Sequence, residues 1–499
     1  MRKKTEKQNL LLSAALLGFL LICLSGCVTR TGPEEQELPA ASGAPETTPV
    51  ILLQGGSAEC RAEGVSVSGS EIVIGAPGEY ELRGTLENGR VLIRTGRKTG
   101  DVTLILNDAH LSCEGGPAIE ELEAGNLILR LAEGTENAVH SGGAEARTPD
   151  PDAVGAAILA EDALILEGSG SLRVEGFLNN GIAGKKELSI LGGALQIHAT
   201  NCGISVAKYI EILDGSIDIT AGNDGVRTHS DKVAGKGDIS IGGGNLKITA
   251  AGDGIAAEGT LTVSGGLLEI TTEGDPEIVS CKGMKAQKDA AVTGGELAVT
   301  SRDNALHTKG ELLLSGGGLT LRSEFGKGVM AGGSIRLDGD AELDVTAAGN
   351  GIETDTDLLI LGGNARIRAG GDGLRAGDSG TGKGAFRMEG GFVRVSAAND
   401  ALDAKISLRI DGGNLFAAGN SYRIQRISEE SRQKVMSIAL EEAETGSIEV
   451  RTESGSVLGE LFADVPATLL YFSSPELKED EQYVLHLENG VGLEPVGSP

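Results

Sequence analysis

The 499-residue chain has no tryptophan, with only 5 Tyr and 8 Phe. A sugar site built on tryptophan platforms is therefore excluded. Positive charge is also short: 43 Lys and Arg stand against 72 Asp and Glu, a net of −29. A nucleic-acid partner is excluded as the simple reading, because phosphate contacts need clustered Lys and Arg. Proline is scarce, at 13 residues, so the chain is neither collagen-like nor a Pro/Gly-rich disordered polymer. Of the six cysteines, the four beyond residue 27 are widely spaced, with no CxxC pair, which argues against a disulfide framework or a zinc site. Cys60, Cys113, Cys202 and Cys281 read as small buried hydrophobes. Glycine is what the chain has in excess, at 77 residues. That is about twice the usual share of roughly 7%. Apolar residues make up 40%, enough for a sizeable core.

Residues 1–26 read as an address. Arg2, Lys3, Lys4 and Lys7 form a basic start, and Leu10 to Leu24 is apolar. This run is short for a membrane span and fits a cleaved signal. It ends at Leu24-Ser25-Gly26-Cys27, small residues before a cysteine, which resembles the lipobox of bacterial lipoproteins. Cys27 is the expected lipidation site, and the expected location is the outer face of the cell membrane. Residues 27–49 then form a tether. The segment 1–26 carries four basic residues and one acidic residue, so its removal takes the net charge to −32.

The body of the chain repeats. A polar residue, then Gly or Ala, then an aliphatic recurs from Asn180-Gly181-Ile182 to Asp400-Ala401-Leu402. Ten such phrases follow one another at steps of 22, 22, 29, 29, 22, 23, 23, 22 and 28 residues. Between phrases lies an alternating run, a Gly-Gly turn and a second alternating run, as in Glu187 to Ala199. Three short strands and three turns in about 22 residues make one coil of a parallel β-helix. Leu188, Ile190, Leu195, Ile197 and Ile204 are predicted to point inward. Weaker units from about Ile72 to Ile158 bring the count to roughly a dozen coils. The fold class is all-β: a right-handed, single-stranded parallel β-helix over 50–419, with a β-rich cap at 420–499. The one segment of helix-like composition, Ser428 to Glu444, lies beyond the repeat.

Because the coils stack, the residue before each Gly or Ala forms a ladder along one corner. It reads Asn180, Cys202, Asp224, Asp253, Lys282, Asn304, Lys327, Asn350, Asp372, Asp400. Asn223, Asp303 and Asn399 precede it by one position. Carboxylates stacked about 4.8 Å apart repel by roughly 3 kcal/mol at an effective dielectric near 20. A calcium ion, a flanking lysine or a raised pKa must offset this. Candidate calcium clusters are Asn223 and Asp224 with Asp253; Asp303 with Asn304; and Asn350, Asp372, Asp400 and Asp403. Turn chemistry alone is the competing account, since Asp-Gly and Asn-Gly are common turn pairs. Lys282 and Lys327 are placed to substitute for a cation within the ladder. Longer units insert loops beside this corner, at Thr228 to Gly237, Ala376 to Gly384 and Glu273 to Cys281. Arg227 and Arg375 stand at equivalent places before the first two, and Lys285 follows the third. These three are the candidate carbohydrate-binding residues.

Taken together, these residues resemble a family of bacterial surface lipoproteins with a carbohydrate-binding, pectate-lyase-like β-helix. The resemblance runs from about Glu71 to Gly490. It rests on Pro77 to Leu86, Leu131 to Asn137, Leu164 to Leu172, Gly252 to Glu258, Ser280 to Lys285, Asn399 to Asp403 and Ser473 to Leu477. It implies binding of cellulose or an acidic, pectin-like glycan, with calcium and without established catalysis. Asp253, Glu258, Asp400 and Asp403 keep the family's acidic pattern, whereas Asn304, Lys327 and Asn350 depart from it. Lyases of this fold use calcium and an Arg or Lys base on uronate polymers, so a polysaccharide lyase is the alternative. A surface adhesin or spacer without sugar binding is a third reading. Hydrolases need convergent carboxylates, and here the acids are spread along a ladder. The expectation is a monomeric, non-catalytic protein whose partner is an extracellular polysaccharide.

Overall fold

A computed structural model describes residues 48–96, 99–143, 155–229, 236–378, 382–420, 424–478 and 481–488, with the backbone of 495–496. The signal segment, Cys27 and nearly all of the tether lie outside the described residues. So do the centres of two inserted loops, 230–235 and 379–381.

One coil shows how the repeat folds. Tyr209–Ile212 is a four-residue strand, Ser216–Ala221 a six-residue strand and Val226–Thr228 a three-residue strand. Along the six-residue strand, Ile217, Ile219 and Ala221 are buried, while Ser216, Asp218 and Thr220 are exposed. This is the period-2 pattern of a sheet with one wet face. The turn between the first two strands needs a left-handed residue. Gly215 supplies it at φ 110°, as Gly193 does one coil earlier at φ 94°.

Each strand then pairs in parallel with its equivalent in the next coil. Tyr209 lies opposite Asp238, Ser216 opposite Asn245, and Val226 opposite Ile255. The result is a right-handed parallel β-helix of about 13 turns, and among the described residues there is no helix. The three-residue strands form one face, a 15-stranded sheet running from Val65–Ser68 to Leu402–Ala404. The four- and six-residue strands form the other two faces. Leu188, Ile190, Leu195, Ile197 and Ile204 all point inward, each at most 2% exposed. Cys202 and Cys281 are buried, Cys60 and Cys113 are half-buried, and all four are free.

Both ends of the coil stack are covered. Val50–Gly55 extends the first coil and turns back antiparallel onto Ala58–Glu59. At the other end, Val457–Ser473 lies antiparallel across the last six-residue strand, Asn414–Gly419. The segment of helix-like composition does not become a helix. Its second half enters the strand Met436–Thr452, which pairs with Val457–Ser473. Tertiary pairing outweighs local propensity there: Met436, Ile438, Ile448 and Val450 alternate into a second core with Phe472.

Candidate functional site

Side-chain hydrogen bonds link successive ladder residues wherever the ladder holds Asp or Asn, and the side-chain spine is interrupted after Cys202, Lys282 and Lys327. The Oδ1 of each Asp or Asn accepts the backbone N–H of the next ladder residue. Cys202 donates to Asn180 at 3.2 Å, Asp253 to Asp224 at 2.8 Å and Lys282 to Asp253 at 2.8 Å. Lys327 donates to Asn304 at 2.8 Å, Asp372 to Asn350 at 2.7 Å and Asp400 to Asp372 at 3.3 Å. These bonds satisfy corner amides that the strands leave without a partner. The turn-chemistry account therefore applies to both Asp and Asn. It also explains why either serves: only an acceptor oxygen is required.

The charge left on the second oxygen is met by bases. These bases project from the three-residue strands, whose central residues face outward. Register aligns Arg227, Ala256, Lys285, His307, Met330, Glu353, Arg375 and Asp403 in one stripe. Arg227, Lys285 and Arg375 thus share a single row, beside the ladder. Lys285 Nζ lies 2.9 Å from Asp253 Oδ2, and Arg227 lies 3.5 Å from Asp224. Arg375 lies 3.6 Å from Asp372 and 3.7 Å from Asp403, which also meets Lys405 at 2.6 Å. The two ladder lysines act as the sequence suggests: Lys282 pairs with Asp303, and Lys327 with Glu353 at 2.9 Å.

The electrostatics follow. Burial, reinforced by the neighbouring Asp253, pushes the Asp224 carboxyl up to about 6. Burial also raises Asp372, with Asp403 and Asp400 adding to it. Burial opposes ionisation of Asp303 too, but the Lys282 ammonium overrides it and the net shift is downward. His307 is held to about 4 by burial and the Lys282 charge, so it is neutral at pH 7. Its Nδ1 lies 3.0 Å from the Asn304 amide.

Two of the three offsets expected for stacked acids are therefore in place: flanking bases and a raised pKa. Calcium fits less well. In Asp224, Asp253 and Asp372 one carboxylate oxygen accepts an amide and the other faces a cation. Among the described residues no group of three or more His, Cys, Asp or Glu is placed to hold a metal ion. The proposed clusters are also separated in part. Asn223 and Asp224 both bring Oδ1 close to Gly252, but the Asn223 amide is engaged by Asn201, to which it donates at 3.0 Å. Glu258 follows the strand Ile255–Ala257, at the opposite end from Asp253, and acts electrostatically on His229. Asp303 and Asn304 are adjacent, yet Asp303 is committed to Lys282 and to the Asn304 amide.

The inserted loops flank the stripe on both sides. Glu273 to Cys281 enters at the ladder corner, while the other two leave at the far end of the three-residue strands, after Thr228 and Ala376. Phe325, 60% exposed, also stands at the ladder corner, with the Arg302 guanidinium 4.6 Å from its ring centroid. Sequence reasoning missed this aromatic. The signal was the extra residue in Glu324-Phe325-Gly326-Lys327, where neighbouring coils have a shorter turn.

A structure solved for a polysaccharide lyase-like protein from C. thermocellum, as a gadolinium derivative, is 26% identical. It aligns with 50% of this chain and 93% of its own, with a TM-score of 0.40. A carbohydrate-binding domain-containing protein of Acetivibrio thermocellus is 27% identical over 194 residues, 38% of this chain. The match spans 65% of that relative's length. The model of the carbohydrate-binding domain-containing protein family matches residues 68–324 and 308–460. Those two matches reach from the first coils into the cap strands, and the chain belongs to the carbohydrate-binding domain-containing protein family.

Proposed function

We propose that the chain is a lipid-anchored, extracellular polysaccharide-binding protein without catalytic activity. The observation that carries the reading is the row of Arg227, Lys285 and Arg375 on one face, between inserted loops, in a chain of this family. Guanidinium and ammonium groups donate to sugar hydroxyls and carboxylates, while the row's Glu353 and Asp403 accept from hydroxyls. Each base is also paired with an acid of the chain, Lys285 with Asp253, Arg227 with Asp224, and Arg375 with Asp372 and Asp403. With each base engaged by an acid of the chain, the stripe favours the binding reading over lyase chemistry. The anchor rests on the sequence around Cys27. Calcium rests on the acidic pattern alone, against the pairing of those acids with bases.

A glycan array and a pull-down on insoluble polysaccharide, each with and without chelator, test this reading. Retention of cellulose or a pectin-like glycan is expected, and a blank result in both assays overturns it. Calcium dependence is decided by the chelator arm. Release of unsaturated product from polygalacturonate, followed by absorbance, would overturn the non-catalytic part.

A further inference from the structure

The six-residue strands carry a second, separate feature. Their outward residues include Arg366 and Arg394, directly opposite each other in adjacent coils. Strand spacing puts the two backbones about 4.8 Å apart. Like charges so placed destabilise a sheet. Elsewhere on this face the charges alternate in sign, as at Asp218, Lys247 and Glu269. Among the described residues neither guanidinium forms an ion pair. Asp344, the register neighbour of Arg366, turns instead to Arg368 at 2.7 Å, and Asp464 joins Arg368 at 3.4 Å. Arg394 donates only to the Glu460 carbonyl, at 3.1 Å, and Arg366 has no side-chain partner among the described residues.

Beside Arg394 on the same strand stands Phe392, 53% exposed, opposite Asn364. The four residues form a tile: two guanidiniums, one amide and one bare aromatic ring. Two of the four, Asn364 and Arg366, line one end of a surface groove of about 500 Å3 that runs back along the strands past Asp344, Glu342, Thr320 and Glu296. In a chain of net charge −29, an anion is repelled by the molecule as a whole, so a local basic surface is where one can settle.

We infer that this tile is a second glycan site, distinct from the stripe on the three-residue strands, that takes a carboxylated sugar residue. The carboxylate sits between Arg366 and Arg394, and the apolar face of the sugar ring lies on Phe392. Asn364 takes a hydroxyl. The inference rests on the carbohydrate-binding reading and adds to it a place and a ligand class.

The test measures affinity of the full chain for polygalacturonate, cellulose and polyglutamate. The variants are R366Q/R394Q, F392A and K247Q/K309Q, the last removing two exposed positive charges elsewhere. The expected result is at least tenfold weaker binding of polygalacturonate by R366Q/R394Q, with cellulose retention unchanged and a melting temperature no lower than that of the unaltered chain. F392A should weaken polygalacturonate as well, and K247Q/K309Q should not. An equal loss in K247Q/K309Q overturns the site, because it would mean that overall charge alone matters. Binding of cellulose without polygalacturonate by the unaltered chain overturns the site and leaves the broader function standing. Binding of polyglutamate as tight as polygalacturonate overturns the sugar assignment. Retention of neither polysaccharide removes both readings together.

Discussion

Asp224 does two jobs that conflict. Its Oδ1 must accept the Asp253 amide, which any acceptor oxygen can do, and its charge must be tolerated in a buried place next to another acid. The second job is done poorly, which is why its pKa rises from the ordinary 3.8 to about 6. The sign of the consequence is fixed. The folded chain keeps a proton that the unfolded chain releases between those values. The stability this contributes is complete below about pH 4 and is lost as pH climbs through about 6. Asp224→Asn keeps the acceptor and removes the charge. Melting curves from pH 4 to 7 should show the unaltered chain losing stability relative to D224N, by an amount on the order of 3 kcal/mol at pH 7. A constant difference across that range would sink the account. The ladder and its bases were legible in the sequence because a fixed period places equal positions in one row. Arg366, Arg394 and Phe392 were not. Exposed strand positions are ordinarily polar, so only the register in three dimensions shows that two arginines meet without an acid between them.

The short phrase itself obeys a rule at the scale of the strand. Eight of its ten central positions are glycine, and two are Ala305 and Ala401. A Cβ added at any of the eight would come within 2.1–2.5 Å of a Cγ of Ile or Val in the facing strand. Gly254, for example, meets Ile270 at 2.3 Å and the Gly283 carbonyl at 2.6 Å. At the two alanines, the equivalent facing residues are Leu321 and Ala417, which carry no branch at Cβ. Glycine is therefore required here by a neighbour's branched side chain, and not by backbone conformation alone. Gly254→Ala should cost about 1–3 kcal/mol through overpacking. Adding Ile270→Leu, which recreates the natural Ala305–Leu321 combination, should recover part of that loss, so the two changes will not add. Denaturation midpoints of both single variants and the double variant test this. Additive losses would show that the facing branch is irrelevant. The glycines were visible in the sequence as turn chemistry, but their partners lie 16 residues or more along the chain and belong to another strand type. Strand Met436–Thr452 was harder still, because its Glu- and Ala-rich composition favours a helix until its partner strand is known.

For the whole molecule, the stacking is open-ended and needs a stop. The last six-residue strand, Asn414–Gly419, has its outer edge covered by Val457–Ser473, and Phe416 packs against Phe472 with ring centroids 5.2 Å apart. A chain ending at Gly419 would expose that edge and the Phe416 ring together. It is expected to form soluble aggregates by light scattering, while the full chain does not. A monodisperse truncated protein would show that the cap is dispensable. The period announced the solenoid and nearly its length, because coil number follows from counting phrases. The grip of the cap could not be counted, since it is antiparallel and has no period.

The spine of corner hydrogen bonds has a bearing on how such a chain changes size. Every bond in it reaches only one coil ahead, and every phrase glycine answers only to a strand of the next coil. No coil needs to know its distance from either end. Units of one period can therefore be gained or lost within the stack while the coils on either side keep their own contacts, and length is then an adjustable quantity.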